Sequence, residues 1–132
     1  MAEISSAIVC DFAQVREGLL FISSGGITRL RRQSLPAPLG IAVAIVVELP
    51  FDEVKDNHTV TARITHVASA TDVLRTEVGV QANDPAVEPG ESLYVPLVVS
   101  LHQVTVSAYG AYDIVVSVDH GVGRTLTVYA VA

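Results

Sequence analysis

The sequence is poor in cysteine, aromatic and charged residues, and each shortage excludes a class of protein. Its single cysteine cannot form a disulfide-stapled scaffold. Charged residues make up 17% of the chain, hydrophobic residues make up 50%, and this balance is the opposite of the composition of a disordered protein. The net charge of −6 does not suit binding to duplex nucleic acid, so we expect no nucleic-acid partner.

Long apolar runs are also missing. The longest, residues 41–47, is much shorter than the roughly 20 residues of a membrane-spanning helix, so we expect no membrane partner. The first six residues, MAEISS, contain no basic segment of the kind that opens a secretory signal. We therefore expect a cytoplasmic protein, or a virion component in the case of a phage-encoded chain.

What the sequence does contain is valine, at 23 positions, in segments that alternate between apolar and polar residues. β-Branched residues favour strands, and alternation is typical of strands with one buried face. The pattern predicts about eight strands, at residues 7–15, 19–23, 40–49, 58–67, 73–81, 93–101, 110–118 and 124–131. Residues 27–32 are expected to be extended and 103–107 to form a short extra strand. The predicted fold is all-β, a single antiparallel sandwich domain over residues 1–132.

Three positions carry more detailed predictions. Residues 40–49 are apolar on both faces, so this strand is expected to be covered on both faces, either by another copy or by a loop such as residues 83–91. Pro96 places its strand at an edge or a bulge, because proline cannot complete an interior ladder. Gly110-Ala111-Tyr112 precedes a long alternating strand, which predicts that Tyr112 is a structural tyrosine corner.

Short motifs along the chain carry a family resemblance. They are Cys10-Asp11-Phe12-Ala13, Gly18-Leu19-Leu20-Phe21-Ile22, Gly25-Gly26, Leu49-Pro50-Phe51 with Asn57-His58, Val95-Pro96-Leu97, Gly110-Ala111-Tyr112 and Val118-Asp119. Together they resemble a family of short uncharacterised bacterial and phage proteins. The resemblance implies an immunoglobulin-like β-sandwich of unknown function and supplies no catalytic residue. The chain departs from the family pattern at Ile27, where an aromatic residue is frequent, and between Val67 and Val73, where an Asp-Gly hairpin is usual.

No catalytic, metal or cofactor site emerges from the sequence. The histidines are scattered singly, and their spacing matches no zinc pattern; they are His58, His66, His102 and His120. The chain has no Gly-x-Ser-x-Gly motif, and Cys10 has no histidine within twenty residues, although a distant one could approach it in space. We therefore expect no enzyme, with Cys10 reduced in an apolar strand. The acidic loop with Asp52, Glu53 and Asp56 lacks the spacing of a calcium loop, and whether it holds an ion stays open.

Surface composition points instead to association. Phe12 and Phe21 are expected in the core. An interaction patch is predicted from basic residues of the first third of the chain and from apolar residues on expected outer faces: Arg29, Arg31, Arg32, Val46, Tyr94, Val98 and Val115. The expected function is a non-catalytic structural or assembly module, acting as a homo-oligomer or with a repeated partner protein, for example in a phage capsid decoration or tail. The alternative is a small-ligand or carbohydrate-binding module.

Overall fold

The structure is a computed structural model that describes residues 1–82 and 87–132. Its strands are β1 Glu3–Arg16, β2 Leu19–Gly25, β3 Arg29–Arg31, β4 Ala37–Pro38, β5 Ala42–Leu49, β6 His58–His66, β7 Thr71–Val80, β8 Leu93–Ser100, β9 Thr105–Val106, β10 Gly110–Val118 and β11 Arg124–Val131. Within the described residues, a 3-10 turn at Phe51–Glu53 is the one helical segment. No helix in these ranges has the length and apolar character needed to cross a membrane.

The strands form two main sheets and one small ladder. Sheet A has the order β2-β1-β5-β8, sheet B has the order β3-β11-β10-β6-β7, and β4 pairs with β9. Every pairing is antiparallel except the one between β3 and β11. The predicted all-β fold with antiparallel sheets is therefore confirmed. The described residues form eleven strands rather than about eight, because the short strands β3, β4 and β9 are added, and β1 begins earlier than predicted, at Glu3.

The main core contains side chains from both sheets. On β5, Val43, Ile45 and Val47 are fully buried, as are Ile114 and Val116 on β10 of the other sheet. Every second residue along the middle of β6 also packs into this core. Alternation along each strand thus places one face of each sheet in a shared core.

A second, smaller core lies on the other face of β5. Ala42 and Ala44 are each 1% exposed, and they pack with Cys10, Ala13 and Leu20 of the hairpin formed by β1 and β2. The expectation that β5 is covered on both faces is therefore correct. The sequence suggested residues 83–91 as a possible cover; residues 83–86 lie outside the described part of the chain, and the β1–β2 hairpin covers this face.

Two edge strands carry residues that are typical of sheet edges. β8, which carries Pro96, is an edge strand of sheet A, as the proline predicts. β3 is an edge strand of sheet B, with Arg29 and Arg31 exposed on either side of the buried Leu30. Charged side chains on an edge strand disfavour pairing with another sheet.

Candidate interaction surface

The β1–β2 hairpin extends beyond the strand that supports its base. β1 pairs with β5 from Glu3 to Cys10, and from Phe12 to Arg16 it pairs with β2 alone. The turn at Glu17 and Gly18 has positive φ angles of 53° and 73°. Two successive positive φ angles are typical of the tight turns that join hairpin strands. The last third of β1 and most of β2 therefore form a two-stranded arm.

One face of the arm is partly buried and the other face is exposed. On one face Phe12 is 51% exposed, Phe21 50% and Leu19 63%. On the other face Ala13 and Leu20 pack into the small core, but their register partners Ile22 and Val15 are exposed. We call these five exposed side chains (Phe12, Val15, Leu19, Phe21 and Ile22) the hairpin surface.

The hairpin surface corrects one prediction from the sequence. Phe12 and Phe21 were expected in the core, and this is wrong because the arm projects past β5. Register places Phe12 opposite Ser23 and Phe21 opposite Gln14, so the two rings are diagonal neighbours on one face of the arm. Alternation predicts which residues of one strand share a face, but it shows neither the register between two strands nor whether the face has a partner.

The edges of the two sheets differ in how they are protected. β8 carries Pro96, β7 carries Asp72, Arg75 and Glu77, and β3 carries two arginines. β2 reads LLFISSG and has neither a charged residue nor a proline. Proteins normally guard exposed edges with such residues, since free backbone groups of an edge template pairing with another strand. Of the four main-sheet edges in the described residues, β2 is the unguarded one.

The structure brings some of the predicted patch residues together and separates the others. Val46, Tyr94 and Val98 are near neighbours on β5 and β8 of sheet A, because Tyr94 and Val98 flank Pro96, the register partner of Val46. Arg29 and Arg31 lie on β3 and Val115 lies on β10, both in sheet B. Val98 packs against the small core, and Tyr94 is 55% exposed.

Arg32 has a local structural role. Its guanidinium donates hydrogen bonds to the carbonyl oxygens of Arg31, Pro38 and Leu39, at 2.8, 3.1 and 2.6 Å. The Tyr109 hydroxyl donates to the Arg32 carbonyl at 2.8 Å. These bonds fix the chain after β3 and give Arg32 partners within its own molecule.

Tyr112 lies in the core at 1% exposure, and its hydroxyl donates a 2.6 Å hydrogen bond to the Ala108 carbonyl. A buried tyrosine bonded to backbone a few residues upstream is the geometry of a tyrosine corner. The His66 ring lies 4.9 Å from the Tyr112 ring, centroid to centroid. Tyr112 thus anchors the start of β10.

A buried histidine, His58, and a partly exposed aspartate, Asp119, form a hydrogen-bonded pair between two distant segments of the chain. The His58 side chain is 2% exposed, its Nδ1 lies 2.6 Å from Asp119 Oδ2, and its Nε2 lies 2.8 Å from the Glu53 carbonyl oxygen. Both neighbours are acceptors, so both ring nitrogens are placed to donate, as in an imidazolium. Burial lowers the pKa of His58, but the hydrogen bonds and charges of Asp119 and Glu53 outweigh burial and leave that pKa raised.

The pKa of Asp119 moves in the complementary direction. Burial raises it, but the hydrogen bonds from His58 and from the Thr59 N–H outweigh that effect, and the net pKa is lowered. The pair connects the turn before β6 to the turn after β10. Sequence patterning missed it because its two members are 61 residues apart.

Two serine–histidine contacts also occur. Ser69 Oγ lies 2.7 Å from His66 Nδ1, and Ser100 Oγ lies 2.9 Å from His102 Nδ1. In each, Nε2 is within hydrogen-bond distance of a distant carbonyl oxygen, that of Tyr109 for His66 and that of Asp11 for His102. A serine activated by a histidine is the geometry of a nucleophile. The same arrangement occurs at two separate turns, each bonded to a carbonyl oxygen far away in the sequence, and is better explained as a structural clamp.

Groups of potential metal ligands are absent from the residues that the structure describes. Glu53, in the acidic loop, forms an ion pair with the amino terminus at 2.5 Å, and Asp52 and Asp56 are exposed. Cys10 is a free, fully buried thiol. Burial, followed by the nearby charge of Asp11, raises the pKa of Cys10, which disfavours the reactive thiolate.

Comparison with known proteins identifies the family of this chain. A family model described as a family of unknown function, DUF6941, matches residues 5–130. The chain therefore belongs to this family, and the match spans nearly all of both sheets. No curated protein and no solved structure matches the chain.

Proposed function

We propose that the protein is a non-catalytic assembly module that associates with a second copy of itself through β2. The observation that carries the proposal is the coincidence of two features on one element. β2 is an edge strand without a charge or proline, and the exposed side chains of the hairpin surface lie on and beside it. An exposed apolar edge of this kind is a template for strand pairing.

A second copy suits this edge by symmetry. Two identical strands pair antiparallel about a two-fold axis, and the contact is closed because both chains use the same surface. Such pairing would join two copies of sheet A into one sheet of eight strands. Residues 11–25 carry Asp11, Arg16 and Glu17, so little of the net charge of −6 lies in the contact.

The proposal also includes the biological context of the module and its fold type. A small module that repeats through its own edge suits a component of a larger structure, such as a phage capsid decoration or tail, in a bacterial or phage context. The two sheets around one core support an immunoglobulin-like sandwich as the fold type. Mass spectrometry of purified particles from a host that encodes the chain would test the virion assignment; the absence of the protein from such particles would contradict it.

The association itself is tested with two matched variants. Phe21→Lys places a charge beside the free edge at a position already 50% exposed, and Tyr129→Lys does the same on β11, at 47% exposure, inside sheet B. We expect sedimentation at micromolar concentration to show a dimer or larger species for the wild type and for Tyr129→Lys, and a monomer for Phe21→Lys. A monomeric wild-type protein of 13.9 kDa, or equal behaviour of the two variants, would overturn the proposal.

A further inference from the structure

The outer face of sheet B contains a groove lined by arginine and hydroxyl side chains, although the protein as a whole is acidic. Its volume is about 250 Å³, and it lies between the middle of β6 and the turn that follows β10. Its lining comprises Thr61, Arg63, Arg75, Val115, Ser117, His120, Gly121 and Gly123. The groove is separate from the hairpin surface, which belongs to sheet A.

Two arginines face each other at this site. Arg63 on β6 and Arg75 on β7 are direct partners in the strand register, and both line the groove. Like charges directly opposite each other on neighbouring strands are unfavourable. Within the described residues Arg63 forms no ion pair, so the repulsion is not neutralised at that side chain. An anion bound between the two guanidinium groups would relieve it.

Thr61 supplies an independent observation that favours a hydrogen-bonding ligand in the groove. Its side chain lines the groove, the residue is 8% exposed, and its Oγ1 is buried without a hydrogen-bond partner in the described part of the chain. A buried unsatisfied hydroxyl is unfavourable for folding. Ser117, the partner of Thr61 in the register between β6 and β10, adds a second hydroxyl to the lining.

A carboxylate near the groove, that of Glu77, would compete with a bound anion for Arg75. Glu77 Oε1 lies 3.6 Å from Arg75 Nη2, and both side chains are more than half exposed. Exposed ion pairs at this distance are weak, so Arg75 remains available to a ligand. Glu77 is also the register partner of Thr61, and its charge opposes an anion in the groove.

We propose that this groove binds a tetrahedral oxyanion, a phosphate or sulfate group of a small molecule. Two guanidinium groups and two hydroxyls offer more donors than the two oxygens of a carboxylate can use, whereas a tetrahedral oxyanion accepts from several directions. His120 and the glycines of its turn close one end of the groove. This site is independent of self-association through β2.

The direct test is a titration of the full chain with inorganic phosphate, sulfate and acetate at constant ionic strength, followed by backbone amide NMR. We expect saturable shifts around the groove with phosphate and with sulfate, and at least tenfold weaker binding of acetate. Whichever of the two oxyanions binds more tightly indicates whether the natural group is a phosphate or a sulfate. Absence of saturable binding, or acetate binding as tight as the tetrahedral ions, would overturn the proposal.

Variants separate the site from general electrostatics. Arg63→Met is expected to weaken phosphate binding at least tenfold, whereas Arg124→Met, an exposed arginine of the same sheet outside the groove, should change affinity less than twofold. Glu77→Gln should tighten binding two- to fivefold, because it removes the carboxylate that competes for Arg75. Equal losses in Arg63→Met and Arg124→Met would reduce the effect to net charge and overturn the site.

Thr61→Val gives a readout that a purely structural residue would not give. We expect weaker phosphate binding together with a higher melting temperature, because valine fills the same space without an unsatisfied hydroxyl. The one substitution is thus expected to weaken phosphate binding and to raise stability. Unchanged phosphate affinity in this variant would contradict the role of Thr61 and overturn the site as described.

Discussion

At the scale of single residues, the polar groups that matter most in this protein are those that are buried. Within the described residues the Thr61 hydroxyl has no partner, whereas Tyr112 has one and His58 has two. A buried polar group is costly unless it is hydrogen-bonded, so the Thr61 hydroxyl opposes folding and the bonded groups of Tyr112 and His58 favour it.

Tyr112→Phe tests the hydrogen bond at the start of β10. The variant loses the donor to the Ala108 carbonyl but keeps the ring beside His66, and we expect a loss of about 0.5–1.5 kcal/mol in the free energy of unfolding. Urea denaturation monitored by circular dichroism measures this change. A matched control is Tyr129→Phe, at an exposed ring, which should change stability by less than about 0.5 kcal/mol. A midpoint equal to that of the wild type would show that the hydroxyl contributes nothing.

The His58–Asp119 pair predicts how stability depends on pH. Because folding raises the pKa of His58, its contribution is complete below the unfolded pKa of about 6.5 and is lost as pH rises through the raised folded value. Because folding lowers the pKa of Asp119, its contribution is present above an unfolded value of about 3.9 and is lost as pH falls through the lowered one. The pair therefore stabilises the protein most between these two limits.

Asp119→Asn checks this dependence. Asparagine tolerates the positive φ of 52° at this turn, so the backbone should be kept. We expect a loss of about 1–2 kcal/mol near pH 6, a figure reduced for solvent screening at the partly exposed Asp119, and a smaller loss near pH 9. Thermal melts of both proteins between pH 5 and 9 provide the measurement. A constant difference across this range would exclude a charged His58.

At the scale of elements, the β1–β2 hairpin has two different surfaces. One side packs into the small core with Cys10 and Ala44, and the other side exposes Phe12 and Phe21. The apolar pattern predicts a strand in both cases, because alternation shows that residues share a face and not what covers the face. The prediction of core positions for the two phenylalanines failed for this reason, whereas the prediction of cover over β5 was correct.

At the scale of the whole molecule, local signals were enough to predict the main strands but not their arrangement. A run that is apolar on both faces located β5, period-two alternation located β6 and β10, and Pro96 identified an edge. The groove on sheet B depends on the register that places Arg63 opposite Arg75, and this register includes an irregularity between Ile64 and Thr65. Since a shift of one residue would move an arginine to the other face, composition and spacing alone cannot predict the groove.

The small core also gives the protein a built-in probe of its own local motion. Cys10 is fully buried beneath Ala13 and Leu20, so a thiol reagent can modify it only when the arm lifts or the whole chain unfolds. Leu20→Ala, which trims the cover, should raise the labelling rate by about tenfold, the equivalent of about 1.4 kcal/mol in opening free energy. Leu19→Ala, at the neighbouring and 63% exposed position, should leave the rate unchanged. Self-association through β2 would hold the arm closed, so labelling of Cys10 should slow as protein concentration rises.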